Sequence, residues 1–171
     1  MGRQNADPKA ALNSVVILDT CFAMQDSFSA FLAMYDSQLK GNPVLVPYRV
    51  MQELARLLKT KPDLQTKIAT TKAAIEEGRA KGILEFRRDQ SDDDVICDAV
   101  ISRVAEQVLP RRNVLVLTHD QKLSEYLHTK TSNGCFSTKE LHTAGINRQG
   151  ELFIWPNPSD SARTGSPSRA G

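Results

Sequence analysis

The sequence predicts an α/β fold, a three-layer α/β/α sandwich with a central, mainly parallel β-sheet. Short aliphatic runs alternate with longer stretches in which apolar residues recur at helical spacing. Two of these runs, Val15-Val16-Ile17-Leu18 and Val114-Leu115-Val116-Leu117, are apolar throughout rather than alternating. Strands of that kind are buried on both faces, as in a parallel sheet between helix layers, and their connections are right-handed crossovers. The size agrees: 171 residues, 40 % hydrophobic and 25 % charged, suit one domain with a core of its own.

Val15–Leu18 is the first expected strand, and Phe28, Phe31, Leu32, Tyr35 and Leu39 then recur as one helical stripe. Gly41-Asn42-Pro43 breaks the chain before a second strand, Val44-Leu45-Val46. Pro47 fits the first turn of a helix carrying Val50, Met51, Leu54, Leu57 and Leu58. Pro62 opens a further helix that ends near Gly78 or Gly82, ahead of a third strand, Ile83–Phe86. A helix runs from Ser91 to about Leu109, where Pro110 stops it, and the fourth strand, Val114–Leu117, is followed by a helix over 120–130. Leu152–Trp155 reads as a last strand. Residues 1–13 are polar and read as a flexible N-terminal arm, 14–155 as the folded domain, and 156–171, rich in Pro, Ser and Gly, as a flexible C-terminal tail.

The charge balance, 22 − 20 = +2, is not that of a protein that binds nucleic acid by charge alone. No apolar run approaches the ~20 residues of a membrane span, and the N-terminus lacks the apolar segment of a secretion signal. No membrane association is expected. Cys21, Cys97 and Cys135 are odd in number and unpaired in spacing. A cytoplasmic or other reducing intracellular compartment is therefore expected.

In sheets of this class ligands bind at the carboxyl ends of the strands, and acids gather there. Asp19 follows the first strand directly, and Asp120 follows the fourth after Thr118 and His119. The helices after the second and third strands start at the same edge; one carries Glu53, the other Asp92, Asp93, Asp94 and then Asp98. Each acid alone has a plainer explanation. Asp19 would serve as a strand-end turn residue, Asp120 as a helix N-cap, and Glu53 as an exposed acid beside Arg49 or Arg56. Ser91-Asp92-Asp93-Asp94 has the form of a capping box, with Asp in place of Glu. Capping does not explain Asp98, which shares a helical stripe with Asp94 that turns apolar at Ile101 and Ala105. Acids from four segments on one rim repel unless a cation binds or a pKa rises. Oxygen ligands without Cys or His favour Mg²⁺ or Mn²⁺.

Other sites fail on residues. A haloacid-dehalogenase phosphatase needs an Asp where Cys21 stands, and a receiver domain needs a strand-end Lys where the chain has Thr118-His119-Asp120. His119, His128 and His142 form no zinc pair, and no glycine-rich turn follows the first strand. Cys97 and Cys135 read as core residues.

Val15-Val16-Ile17-Leu18-Asp19-Thr20, Val46-Pro47 leading to Val50-Met51-Gln52-Glu53-Leu54, Asp93-Asp94-Val95-Ile96 and Val116-Leu117-Thr118-His119-Asp120 together resemble the PIN-domain family of metal-dependent nucleases. The likeness is to the branch that includes PIN domains fused to PhoH-type ATPases and those of RNA surveillance. It implies a catalytic acidic quartet, Asp19, Glu53, Asp94 and Asp120, that holds Mg²⁺ or Mn²⁺. Asp98 falls where an additional metal-facing acid is sometimes found, and Thr20 and Thr118 match supporting positions. Cys21 departs from the usual Asn or Ser. The resemblance further implies internal hydrolysis of single-stranded RNA. Arg49, Arg56, Arg87, Arg88, Arg103 and Lys122 are the candidates for holding that RNA, and Tyr48 for stacking on a base. The alternatives are a non-catalytic PIN-like interaction module, or a toxin nuclease held inactive by an antitoxin. A homodimer or a larger complex would be compatible with either.

Overall fold

The computed structural model describes residues 6–88, 97–132 and 139–157. The chain begins with a short helix, α1 (Pro8–Ala11), and strand β1 (Val15–Leu18). Three short helices follow: α2 (Thr20–Ala23), α3 (Phe28–Met34) and α4 (Asp36–Gly41). Next come β2 (Val44–Pro47), α5 (Tyr48–Thr60), a 3₁₀ turn at Pro62–Leu64, α6 (Gln65–Ala80) and β3 (Leu84–Arg87). The second half consists of α7 (Cys97–Val108), β4 (Val114–Leu117), α8 (Gln121–Ser132), β5 (Leu141–Ile146) and β6 (Leu152–Ile154).

The six strands form one sheet in the order β3-β2-β1-β4-β5-β6. All neighbours are parallel except β5 and β6, which pair antiparallel. Helix layers cover both faces, which makes the three-layer α/β/α sandwich that the sequence predicts. Helix α7 packs against β1 and β4 and touches α5 and α8, α8 lies on β5, and α6 lies on β3 and touches α3. Val16, Ile17 and Leu18 of β1 and all four residues of β4 are buried to 0 % exposure, so the two apolar runs form the centre of the core. Among the described residues no helix is long and apolar enough to cross a membrane.

Four local features differ from the sequence expectation. First, residues 8–12 are not an arm. Asp7 accepts the Lys9 amide and caps α1, and Ala11 and Leu12 are buried in the core. Asn42 then ties this segment down by donating to the carbonyls of Leu12 (2.8 Å) and Ser14 (2.5 Å). Second, the single stripe from Phe28 to Leu39 is two helices. Tyr35 leaves helical geometry between them (φ −105°, ψ 14°), and its buried hydroxyl accepts the Leu152 amide at 3.0 Å. Third, Pro47 closes β2 in an extended conformation (ψ 136°), and the helix begins one residue later.

Fourth, β5 has no counterpart among the expected strands. Its sequence, Leu-His-Thr-Ala-Gly-Ile, lacks a β-branched run and contains Gly145, a residue depleted in strands. Tertiary packing explains both features. A Cβ at Gly145 would lie 2.6 Å from the Phe153 ring on β6, so any larger residue there would displace that ring. Thr143 is fully buried because its hydroxyl bonds with Ser124 (2.6 Å) and His128 (3.3 Å) of α8. The expected helix start at Ser91 lies outside the described residues, as do Asp92, Asp93, Asp94 and Cys135 and all of the expected tail beyond 157.

The buried start of the chain gives a direct test. Leu12→Ala is expected to lower unfolding stability by about 2–4 kcal/mol, as for a core leucine. Urea denaturation measures this, and a loss below about 0.5 kcal/mol would mean that the segment is no part of the core.

Candidate active site

The site is built where β1 and β4 end side by side. Their parallel register pairs Leu18 with Leu117, so the next residues, Asp19 and Thr118, leave the sheet together. Asp19 caps α2 by accepting the Thr20 amide on Oδ1 at 2.8 Å. Its Oδ2 accepts two more bonds, from the Thr118 hydroxyl at 2.7 Å and the Cys21 thiol at 2.8 Å. The carboxyl is 5 % exposed, and burial is the main reason that its pKa lies above the ordinary carboxylate range. The three hydrogen bonds oppose that rise, and the charge of Glu53 adds to it.

Glu53 reaches this edge from the second turn of α5, where Oε2 accepts the Thr20 hydroxyl at 2.9 Å. Thr20 thus contacts both acids, Asp19 through its amide and Glu53 through its side chain. Asp120 caps α8, with Oδ1 accepting the amides of Lys122 (2.9 Å) and Leu123 (3.2 Å). Its own amide donates to Thr118 Oγ1 at 3.0 Å, so one hydroxyl fixes two acids. Asp98 stands in the first turn of α7. Its pKa is raised first by burial, then by the charges of Asp19, Asp120 and Glu53. The structure therefore links Asp19, Glu53 and Asp120 through Thr20 and Thr118, with Asp98 near enough for their charges to raise its pKa. Asp94 lies outside the described residues.

Residues behind the acids hold the turn after β4. Cys21 Sγ accepts the His119 amide at 3.2 Å while its thiol donates to Asp19, which joins the ends of the two strands. Trp155 Nε1 donates to the Thr118 carbonyl at 2.9 Å. The His119 ring packs edge-on against Phe153 and Trp155, and its Nε2 accepts the Ile146 amide at 3.0 Å. A nitrogen that accepts an amide bond belongs to neutral imidazole, and burial lowers the His119 pKa accordingly. The sequence offers a signal for His119, which stands between two site residues. It offers none for Trp155, which arrives from β6.

The basic candidates fall into two groups. Arg49 and Lys122 stand in the first turns of α5 and α8, and Arg87 and Arg88 at the end of β3, all at the carboxyl edge of the sheet. Arg49 donates to Gln52 (3.1 Å), Arg87 to Gln107 (3.2 Å), and the Arg88 guanidinium lies over the Tyr48 ring. Arg56 and Arg103 sit deeper along their helices than Glu53 and Asp98, further from that edge.

The donor chemistry suits a hard divalent cation, since every acid offers carboxylate oxygen. Each carboxylate oxygen has two acceptor positions. The two bonds to Oδ2 and the one to Oδ1 leave Asp19 one position on Oδ1. Among the described residues no three His, Cys, Asp or Glu side chains already stand close enough to hold one ion.

Two predictions follow from these carboxyl and thiol environments. An acid with a raised pKa binds more protons in the folded chain than in the unfolded one, so stability falls as pH rises through the raised value. In chelator, Asp98→Asn is expected to stabilise the fold at pH 7, and the gain should fade as the pH drops and the wild-type carboxyl protonates. Denaturation at pH 7 and at pH 3.5 reads this, and a gain that does not change with pH would contradict it. The Cys21 thiol is pushed up to about 12, chiefly by burial and then by Asp19. At pH 8 the folded chain should therefore be alkylated at Cys21 about 10²-fold or more slowly than the unfolded chain, as followed by peptide mapping; equal rates would refute the assignment.

No family model matches the chain, and no curated protein matches it in sequence. Two solved structures resemble it in fold. One is a domain of a functionally unknown protein from Methanocaldococcus jannaschii DSM 2661, with 17 % identity and a TM-score of 0.53 over 79 % of this chain and 94 % of that one. The other is the PIN domain endonuclease Utp24, with 16 % identity and a TM-score of 0.52 over 81 % of this chain and 89 % of that one. At such identities the likeness is one of fold, and the fold is PIN-like.

Proposed function

We propose that this chain is a metal-dependent endoribonuclease that hydrolyses single-stranded RNA, of the PIN type found in PhoH-associated and RNA-surveillance nucleases. One observation carries the reading: at the end of the central strands Thr20 bonds both Asp19 and Glu53, and the Thr118 hydroxyl bonds both Asp19 and the Asp120 amide, which gathers acids from three segments at the switch point of the sheet. Acids collected in this way destabilise the fold, so their arrangement calls for a functional reason. The PIN-like fold supports the reading, and one neighbour of that fold is named an endonuclease.

Asp19, Glu53, Asp94 and Asp120 would hold Mg²⁺ or Mn²⁺, with Asp98 as a further carboxylate. When bound, such a cation lowers the pKa of water and stabilises charge on a phosphate and its leaving oxygen. The chain's own residues prepare for it. Thr118 and Cys21 hold Asp19 Oδ2, so the carboxylate keeps one orientation without a cation. Thr20 does the same for Glu53. The helix-capping bonds of Asp120 fix its carboxylate at the end of β4. The non-catalytic module remains the second reading, on the observation that no three described ligand side chains yet stand at ion-holding distance.

Labelled single-stranded RNA incubated with the protein in Mn²⁺, Mg²⁺ or chelator is the test. Cleavage is expected only with metal, and Asp19→Asn is expected to reduce it about 10²-fold or more, since metal stabilisation is worth several kcal/mol. Mn²⁺ should also raise the wild-type melting temperature by mass action, and raise that of Asp19→Asn less. Absence of both cleavage and the thermal shift would overturn the nuclease reading in favour of the interaction module.

A further inference from the structure

Beside the acids, on the outer half of the same edge, an exposed arginine lies over the ring of an exposed tyrosine. We propose that Tyr48 and Arg88 form a platform on which an unpaired nucleobase stacks, one or two nucleotides from the phosphate held at the acids. This rests on the nuclease reading and specifies how its substrate is gripped.

The sheet register sets the placement. Ile17 pairs with Leu45, which brings Asp19 level with Pro47, and Pro47 pairs with Arg87. The residues that follow, Tyr48 and Arg88, therefore leave the sheet at the edge where Asp19 does. Strands are about 4.8 Å apart, so the end of β3 lies about 10 Å from that of β1. A strand of RNA that passes over the acids can reach that far.

The chemistry fits a base. Tyr48 is 41 % exposed, and with Met34 and Tyr126 it is one of three large hydrophobic side chains exposed among the described residues. The Arg88 guanidinium lies 5.2 Å from the Tyr48 ring centroid. A cation over an aromatic face is held without being buried, and the exposed guanidinium plane is itself a surface on which a base stacks. Unpaired bases stack on aromatic rings and guanidinium planes alike, and sequence-tolerant grip on single strands is built this way. Arg88 also places a positive charge to the side of an acidic pocket that repels the phosphate backbone. Tyr126 is exposed as well, but it lies in the second turn of α8 rather than directly after a strand, and the cation over its ring, Lys130, is engaged with Glu106 (3.0 Å) and Ser102 (3.2 Å).

The test uses the full chain and a fluorescein-labelled single-stranded RNA. Binding is read by anisotropy in Ca²⁺, and cleavage is read in Mn²⁺ on the same preparations. Tyr48→Ala and Arg88→Ala should each weaken binding about 5- to 100-fold, with melting curves unchanged, whereas Tyr48→Phe should bind as the wild type does. The loss should appear in KM rather than kcat. An RNA carrying abasic residues should bind the wild type and Tyr48→Ala equally. The platform is overturned if Tyr48→Ala binds intact RNA as tightly as the wild type, if its deficit persists on abasic RNA, or if the wild type binds no RNA. Cleavage that Asp19→Asn abolishes would leave the nuclease reading standing in each of those cases, and its absence would remove that reading separately.

Discussion

The carboxylate of Asp19 is buried at the end of the central strand, and the surrounding structure is arranged to make that tolerable. A buried carboxylate without partners is strongly destabilising. Three donors from three directions offset the cost: the Thr20 amide at the start of α2, the Cys21 thiol, and the Thr118 hydroxyl from the neighbouring strand. Each donor is engaged elsewhere as well. The Thr20 side chain holds Glu53, Cys21 holds the His119 amide, and Thr118 holds the Asp120 amide. Satisfying one buried carboxylate thereby ties three acidic residues to one another, two through their side chains and Asp120 through its backbone amide.

This requires β1 and β4 to be neighbours although nearly a hundred residues separate them. The strand order β3-β2-β1-β4-β5-β6 meets that need. From β1 the chain moves outward to β2 and β3, then crosses back to β4 on the other side, which leaves a switch point between β1 and β4. Helices diverge there, and the crevice at their amino ends is where α/β sheets bind ligands. The acids on α5 and α7 stand in the first two turns of helices that touch each other beside that crevice. The antiparallel β6 adds a support: it delivers Trp155 and Phe153 to the back of the turn that carries Thr118, His119 and Asp120.

The departure at Cys21 is intelligible in this frame. The thiol donates to Asp19 and accepts from the His119 amide, the two-way role that a small polar residue would fill there. Burial beside an ionised acid keeps it protonated, so it acts as a hydrogen-bond bridge and is chemically quiet.

The two apolar runs, read alone, were enough for the class of fold, because strands buried on both faces admit little other than a parallel sheet between helices. They also placed Asp19 and Asp120 at one edge, since a residue directly after a parallel strand has nowhere else to go. Local pattern failed where a side chain answers to a distant partner. The polar, glycine-containing β5 is a strand because Thr143 finds hydroxyl and imidazole partners on α8 and because Phe153 fills the space beside Gly145. The helix over Phe28–Leu39 breaks at Tyr35, whose hydroxyl is taken by β6. Residues 8–12 join the core because Asn42 closes over them. The sequence by itself determined the layers, the strand direction and the edge at which the acids collect, since these follow from periodicity and chain direction. Only the tertiary structure decided that Cys21 and Trp155 brace the acids and that Tyr48 meets Arg88, because contacts between residues far apart in the chain depend on sheet order and register, which no local spacing records.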